Sequence, residues 1–216
     1  MTMSKLRFRI TLSLDGYVAG PNQSVKEPLG EGGMELHKWA FALDTWRKMH
    51  GMTGGEANAS SKVMEEQLAN TGAVIMGRNM FGGHPGPWAK ENPWVGWWGD
   101  NPPFHHPVFV LTHYHRGTLH CDGGTTFTFV TEGIESALDQ AFQAANGKDV
   151  ALAGGAHAAQ QYLKAGLVDE MELSIVPVLL GSGERLFENV GPNPNGWKLV
   201  RAVEAPGVAH LKFLKS

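Results

Sequence analysis

The sequence predicts an α/β protein in three layers, α/β/α, around a mixed, mostly parallel central sheet that ends in an antiparallel hairpin. Three observations predict it. Strand-length apolar runs alternate with helix-spaced segments through the middle of the chain, and such alternation feeds parallel strands through helical crossovers. The last two apolar segments, Trp197–Val203 and Val208–Leu214, flank Ala205-Pro206-Gly207 as a hairpin would. Four strand ends carry glycine or polar groups: Asp15-Gly16, Gly77-Arg78, Thr112-His113 and Gly154-Gly155. In open α/β sheets ligands bind beyond the carboxyl ends of the strands.

Each element has its own warrant. Leu6, Phe8, Ile10, Leu12 and Leu14 alternate with Arg7, Arg9, Thr11 and Ser13, the period of two of a half-buried strand. Asp15 to Asn22 is turn-rich. From Met34 to Met49 the residues Leu36, Trp39, Ala40, Leu43 and Trp46 have helical spacing. Gly51–Ser61 is small, polar and glycine-rich, and a second helix is predicted from Lys62 to Asn70, feeding the strand Ala73–Met76. The segment Gly82–Pro107 is a long Gly/Pro loop holding Trp88, Trp94, Trp97 and Trp98; loops of that length without structure of their own are usually functional or disordered, and its aromatic content argues against disorder. Val108–Leu111 reads as a buried strand and Thr126–Thr131 alternates again. Ile134, Ala137, Leu138, Ala141 and Phe142 mark an amphipathic helix ending near Gly147. Val150–Ala153 is another buried strand, followed at once by Gly154-Gly155 and a short helix. Pro177 inside a strand pattern suggests a bulge or edge.

Composition bounds the function. At 216 residues one domain, 1–216, is expected. A net charge of −3 leaves no electrostatic footprint for nucleic acid or an anionic membrane. The lone cysteine, Cys121, excludes an internal disulfide framework and a cysteine-rich metal site, and His105-His106 lacks a third ligand in its pattern, so no metal is expected. No apolar run is long enough to span a bilayer, and the first residues lead directly into a strand without a signal peptide's apolar region. A cytoplasmic location is the expectation.

The strand ends suggest phosphate chemistry. A helix starting at Gly154-Gly155 aims unsatisfied N–H groups and its positive dipole end at the turn, where an anion can sit. The guanidinium fork of Arg78 suits a terminal phosphate, and Thr112 and His113 could contact an adenosine or its phosphate. Together they describe a dinucleotide, although no G-x-G-x-x-G fingerprint is present. Asp15 could supply a proton if burial raised its pKa, could orient a water, or could simply close an Asp-Gly turn. His37 titrates near neutrality and is the second catalytic candidate, or a packed side chain on a tryptophan-bearing helix. The tryptophans could stack on a flat heterocycle, pack the loop onto the body, or form a dimer contact.

Four segments carry a family resemblance: SLDGYVAG at Ser13–Gly20, AVIMGRNMF at Ala73–Phe81, PVFVLTH at Pro107–His113, and AGGAHAAQQYLKAGLVDEMELSIVPVLLGSG at Ala153–Gly183. In these the chain resembles the dihydrofolate reductase-like superfamily, in the branch of the reductase half of the bacterial bifunctional riboflavin deaminase–reductase (the RibD C-terminal family), as a stand-alone member. The resemblance implies NADPH as hydride donor. It implies that Gly77 and Arg78 touch cofactor phosphates and that Thr112, with His113 beside it, holds the adenosine phosphate. It implies further that Gly154, Gly155 and Ala156 seat the pyrophosphate, that Val18 and Ala19 lie in the loop over the nicotinamide, and that Asp15 stands near the active site. A homodimer is also implied.

Departures bear on the substrate. Pyrimidine reductases of riboflavin synthesis carry an Asp-Asp-Pro segment shortly after the strand matching Ala73–Met76, whereas this chain has Phe81-Gly82-Gly83-His84-Pro85-Gly86-Pro87-Trp88. The zinc-binding deaminase motifs are absent. For the acidic residue on the first helix of dihydrofolate reductase, Asp44 is the nearest counterpart. The resemblance implies an NADPH-dependent reductase of a small heterocyclic or ribosylamino-pyrimidine-like substrate; a dihydrofolate or pterin reductase and a non-catalytic NADP-binding protein are the alternatives.

Overall fold

The computed structural model describes residues 4–192 and 196–216. Its strands are β1 (Leu6–Ser13), β2 (Tyr17–Ala19), β3 (Thr71–Gly77), β4 (Pro107–Leu111), β5 (Leu119–His120), β6 (Thr126–Val130), β7 (Asp149–Gly154), β8 (Glu170–Val176), β9 (Glu184–Arg185), β10 (Trp197–Ala205) and β11 (Val208–Lys215). Its α-helices are α1 (Lys38–Phe41), α2 (Asp44–Met49), α3 (Ala59–Leu68), α4 (Arg78–Phe81), α5 (Ile134–Ala144) and α6 (Ala156–Lys164).

Among the described residues nine strands form one sheet in the order β10-β11-β8-β1-β7-β3-β4-β6-β5, and β2 pairs with β9 in a second, two-stranded sheet. From β8 to β6 every neighbouring pair is parallel, while β11 joins β8, and β10 joins β11, in antiparallel fashion. The mixed sheet and terminal hairpin agree with the sequence pattern.

The period of two in β1 sorts its side chains to the two faces. Leu6, Phe8 and Leu12 join Ile75, Leu152 and the α5 and α6 residues Ala137, Ala141, Ala159 and Tyr162 in the larger core. The Tyr162 hydroxyl stays satisfied there by donating to the Ile134 carbonyl at 2.8 Å. On the opposite face Arg7 pairs with Glu170 at 3.5 Å and with Asp149 at 3.3 Å, and Lys212 meets Glu170 at 2.8 Å. Glu170 thus sits in an ion-pair layer. Beyond β7 the same face turns apolar: Val74, Met76, Val108, Val110, Phe127 and Phe129 gather around Phe81.

Three elements differ from the sequence pattern. The expected single helix over Met34–Met49 is a 3-10 turn at Gly33–His37 followed by the short α1 and α2. The chain breaks at Leu43, which is extended (ψ 139°), because Glu56 donates its N–H to the Ala42 carbonyl at 2.8 Å and accepts from the Asp44 N–H at 3.0 Å. A distant strand-like contact outcompetes helical spacing. The second helix starts at Ala59 rather than Lys62, fixed by a capping box. The Asn58 side chain accepts from Ser60 N at 2.8 Å, and Ser61 Oγ accepts from Asn58 N at 3.2 Å. Finally, β1 ends at Ser13, so Leu14 leaves the core pattern and is exposed. Pro177 lies just past the end of β8.

The tryptophan loop is packed onto the body. The indole N–H of Trp94 donates to Phe81 O at 2.9 Å, that of Trp97 to Met80 O at 3.1 Å, and that of Trp88 to Tyr114 O at 2.8 Å. Trp88 also packs edge-on against Phe129, at a ring separation of 4.9 Å.

Candidate functional site

The sheet order places the four suspect strand ends side by side. Asp15 follows β1, Gly154-Gly155 close β7, Gly77-Arg78 close β3, and Thr112-His113 follow β4; these are four consecutive parallel strands. Residues far apart in sequence therefore share one edge of the sheet.

The β7–α6 turn is the centre of that edge. Gly154 has φ 110°, a conformation that only glycine adopts without strain, and a cis peptide joins it to Gly155. A Cβ on Gly155 would meet nothing within 4 Å, so space lies open in front of the helix start. No side chain among the described residues caps α6, leaving the N–H groups of its first turn, Ala156 among them, for another partner. Gly77 approaches this turn closely: a Cβ there would lie 3.2 Å from Ala158 Cβ and 3.7 Å from Gly154 O.

Arg78 opens α4 beside that approach. It donates through Nη2 to His84 O at 2.9 Å and stacks 3.5 Å from the centre of the Trp88 ring. Its Nε is buried and finds no partner among the described residues. Burial, together with neighbouring Arg116, lowers the Arg78 pKa to about 10, which leaves it charged at neutral pH. Thr112 is buried; its Oγ1 accepts from Tyr114 N at 3.2 Å, so its hydroxyl proton remains available to a ligand. His113 is exposed at the rim. Val18 and Ala19 are buried in β2. A polyanionic dinucleotide fits this set: a helix start with open space in front, an unpartnered guanidinium nitrogen, and a free hydroxyl proton.

Asp15 is corrected as a proton donor. Its Oδ1 accepts from Ser13 Oγ at 2.5 Å and Leu180 N at 3.2 Å, and its Oδ2 accepts from Gly181 N at 2.7 Å. These bonds, the Ser13 hydroxyl first, pull its pKa to about 2. The carboxylate is ionised at neutral pH and clamps the loop after β8 to the end of β1. Since the carboxyl titrates near 3.8 in an open chain and near 2 in the fold, the clamp's stabilisation is complete above pH 3.8 and is lost as pH falls toward 2. Asp15→Asn is expected to flatten that part of the acid-unfolding curve, followed by circular dichroism; an unchanged curve would remove the clamp.

His37 is also unsuited to give a proton. Burial pushes its pKa below the ordinary value, partly opposed by the Gly33 backbone. It lies against Phe41, ring centres 6.0 Å apart, and its buried Nδ1 has no partner among the described residues. It is a packed imidazole whose burial disfavours the charged form. Asp44 likewise has local duties, accepting from Thr45 N at 2.7 Å and Ser61 Oγ at 3.1 Å.

Three residues escaped the sequence reading. Leu14 and Leu179 are 62% and 72% exposed on the two loops that Asp15 joins, an apolar rim beside the clamp. The alternation of β1 suggested a core position for Leu14, and only the strand's end at Ser13 reveals otherwise. Arg116 holds its guanidinium 4.9 Å from the Trp88 ring centre, and nothing in its local sequence marks it.

The profile of the RibD C-terminal domain family matches residues 4–211. The uncharacterized protein YyaP of Bacillus subtilis (strain 168) is 52% identical over 44 residues, 20% of this chain and 23% of that relative, so the match spans under a quarter of it. Among solved structures, a protein from Shewanella sp. PV-4 described as belonging to riboflavin biosynthesis is similar with a TM-score of 0.67 at 17% identity, covering 98% of this chain and 99% of that one. Dihydrofolate reductase from Enterococcus faecalis, solved with NADP(H), has a TM-score of 0.54 at 12% identity, covering 98% and 96%. The four glycine and polar strand ends fall within the matched span, and the chain belongs to the RibD C-terminal domain family, with the fold of dihydrofolate reductase.

Proposed function

We propose that this protein is an NADPH-dependent reductase of a small heterocyclic, ribosylamino-pyrimidine-like compound, chemistry of the kind performed by 5-amino-6-(5-phosphoribosylamino)uracil reductase. The observation that carries this reading is the alignment of Asp15, Gly154-Gly155, Gly77-Arg78 and Thr112 on four consecutive strand ends. Family membership supports a reductase.

NADPH, when bound, supplies the hydride. The N–H groups at Gly155 and Ala156 would hold its pyrophosphate, with a helix dipole contribution of about 0.3–2 kcal/mol. Arg78 and Thr112 would hold the adenosine phosphate, and the backbone at Val18-Ala19 would border the nicotinamide. Asp15 acts as a positioning residue that fixes the two loops bearing Leu14 and Leu179, against which a flat heterocycle lies. With Asp15 ionised and burial disfavouring the charged form of His37, the proton that accompanies the hydride would come from solvent water.

Oxidation of NADPH with a panel of ribosylamino-pyrimidines, pterins and quinones tests this reading. Turnover is expected with a pyrimidine of that class. Tight NADPH binding with no turnover across the panel would leave a binding protein instead, and turnover confined to pterins would move the substrate class.

A further inference from the structure

One buried imidazole joins four elements on the face of the sheet that α3 covers. His210 of β11 is fully buried and stands directly across from Ser174 of β8. Its Nδ1 lies 2.9 Å from Ser174 Oγ, and its Nε2 lies 2.8 Å from Ser60 Oγ in the first turn of α3. Both serines are buried as well. The Trp39 ring of α1 meets the imidazole edge-on, with ring centres 4.9 Å apart.

The charged groups nearby are engaged with one another. Glu172 of β8 pairs with Arg201 of β10 at 2.8 Å, and Arg201 also pairs with Glu66 of α3. Lys212, two residues along β11, pairs with Glu170 at 2.8 Å. The turn before α1 supplies His37, which stacks on Phe41. No carboxylate among the described residues pairs with the His210 ring.

A neutral imidazole suits two hydroxyls, because one ring N–H donates while the other nitrogen accepts. A protonated ring only donates. The serine that had given its proton to the ring then loses its acceptor inside the core. Burial holds the His210 pKa below its ordinary 6.5; Glu172 opposes this in part and Arg201 adds to it. The network's stabilisation is therefore complete above pH 6.5 and is lost as pH falls below that value. The far end of α3 is held differently: Arg7 donates to the Glu66 carbonyl at 2.8 Å and to the Ala69 carbonyl at 2.9 Å.

We propose that the Ser60–His210–Ser174 network is a pH-sensitive latch: the uncharged ring closes α1 and the first turn of α3 onto the sheet, and protonation frees them while Arg7 keeps the last turn of α3 in place. Trp39 also packs with Leu36, Val176, Val178, Leu180 and Val208, and Leu180 donates to Asp15. One packed cluster thus separates the latch from the strand-end site, whatever reaction that site performs.

Hydrogen–deuterium exchange of the full chain from about pH 7.5 to about pH 5, corrected for the intrinsic pH dependence of exchange, tests the latch in the parent and in His210→Gln, whose amide donates and accepts without titrating. Opening that takes up one proton rises by at most about tenfold per pH unit. The α1 and α3 amides of the parent are therefore expected to lose about fivefold or more of their protection while those of α5 keep theirs. In His210→Gln the protection of α1 and α3 should stay constant. The same fall in His210→Gln would assign it to another group and overturn the latch. So would a parent whose α1 and α3 protection does not move, or falls together with that of α5. Should His210→Gln fold poorly, the His210 ring resonance of the parent decides: titration at or above pH 6.5 in the folded protein overturns the latch.

Discussion

A Gly155→Asp variant is expected to fold at least as stably as the parent and to lose roughly a hundredfold in affinity for NADPH. The two effects have one cause. Gly155 has φ −64° and open space where a Cβ would go, so a side chain fits without displacing its neighbours. It also precedes a helix that no side chain caps among the described residues, and an Asp in place of glycine at a helix start gains roughly a few tenths of a kcal/mol. The same carboxylate then takes the N–H groups proposed for the pyrophosphate and repels it. Two unit charges about 4 Å apart repel by about 1 kcal/mol in water and about 4 kcal/mol near a protein surface; a value between, near 2.7 kcal/mol, is about a hundredfold in affinity. Melting temperature and NADPH titration on one preparation check both halves. A variant that melts higher and binds NADPH as the parent does would show that the turn is only a helix start.

The second large effect concerns stability. Phe81→Ala is expected to cost about 3–5 kcal/mol, the range for emptying a buried aromatic site, and to lower the melting temperature by about 10 °C in a chain of this size. Phe81 is fully buried and touches Phe127, Phe129 and Trp88, with ring separations of 5.1, 5.2 and 5.8 Å. Its carbonyl also accepts from Trp94. The cavity would therefore open beneath the docked tryptophan loop. The near-ultraviolet circular dichroism of the tryptophans should weaken while the far-ultraviolet signal persists. A melting temperature within about 2 °C of the parent would mean that the loop is held by something else.

The sheet and the glycine turn were legible because local chemistry dictates them. Period-two alternation in β1 and the apolar runs of β3, β4 and β7 leave no other burial for those residues, and a turn requiring φ near 110° at Gly154 leaves a glycine as its trace. What the sequence could not show came from partners distant in the chain. The break at Leu43 is set by Glu56, although Leu36, Trp39, Ala40, Leu43 and Trp46 hold helical spacing straight through it. Asp15 looked available as an acid until Leu180 and Gly181, from the loop after the neighbouring strand β8, donated to it. Arg116 acquires meaning only from Trp88, contributed by another loop. The family segments gave the strand ends proposed for the cofactor, and the exposed rim of Leu14 and Leu179 proposed for the substrate carries no local signal of its own.

The position of NADPH in a crystal of the complex tests the central claim most directly. The pyrophosphate is expected within hydrogen-bond distance of the Gly155 and Ala156 N–H groups, with the adenosine phosphate against Arg78 and Thr112. A cofactor bound away from the carboxyl edge of β1, β7, β3 and β4, or density there that leaves the α6 start facing only water, would contradict it.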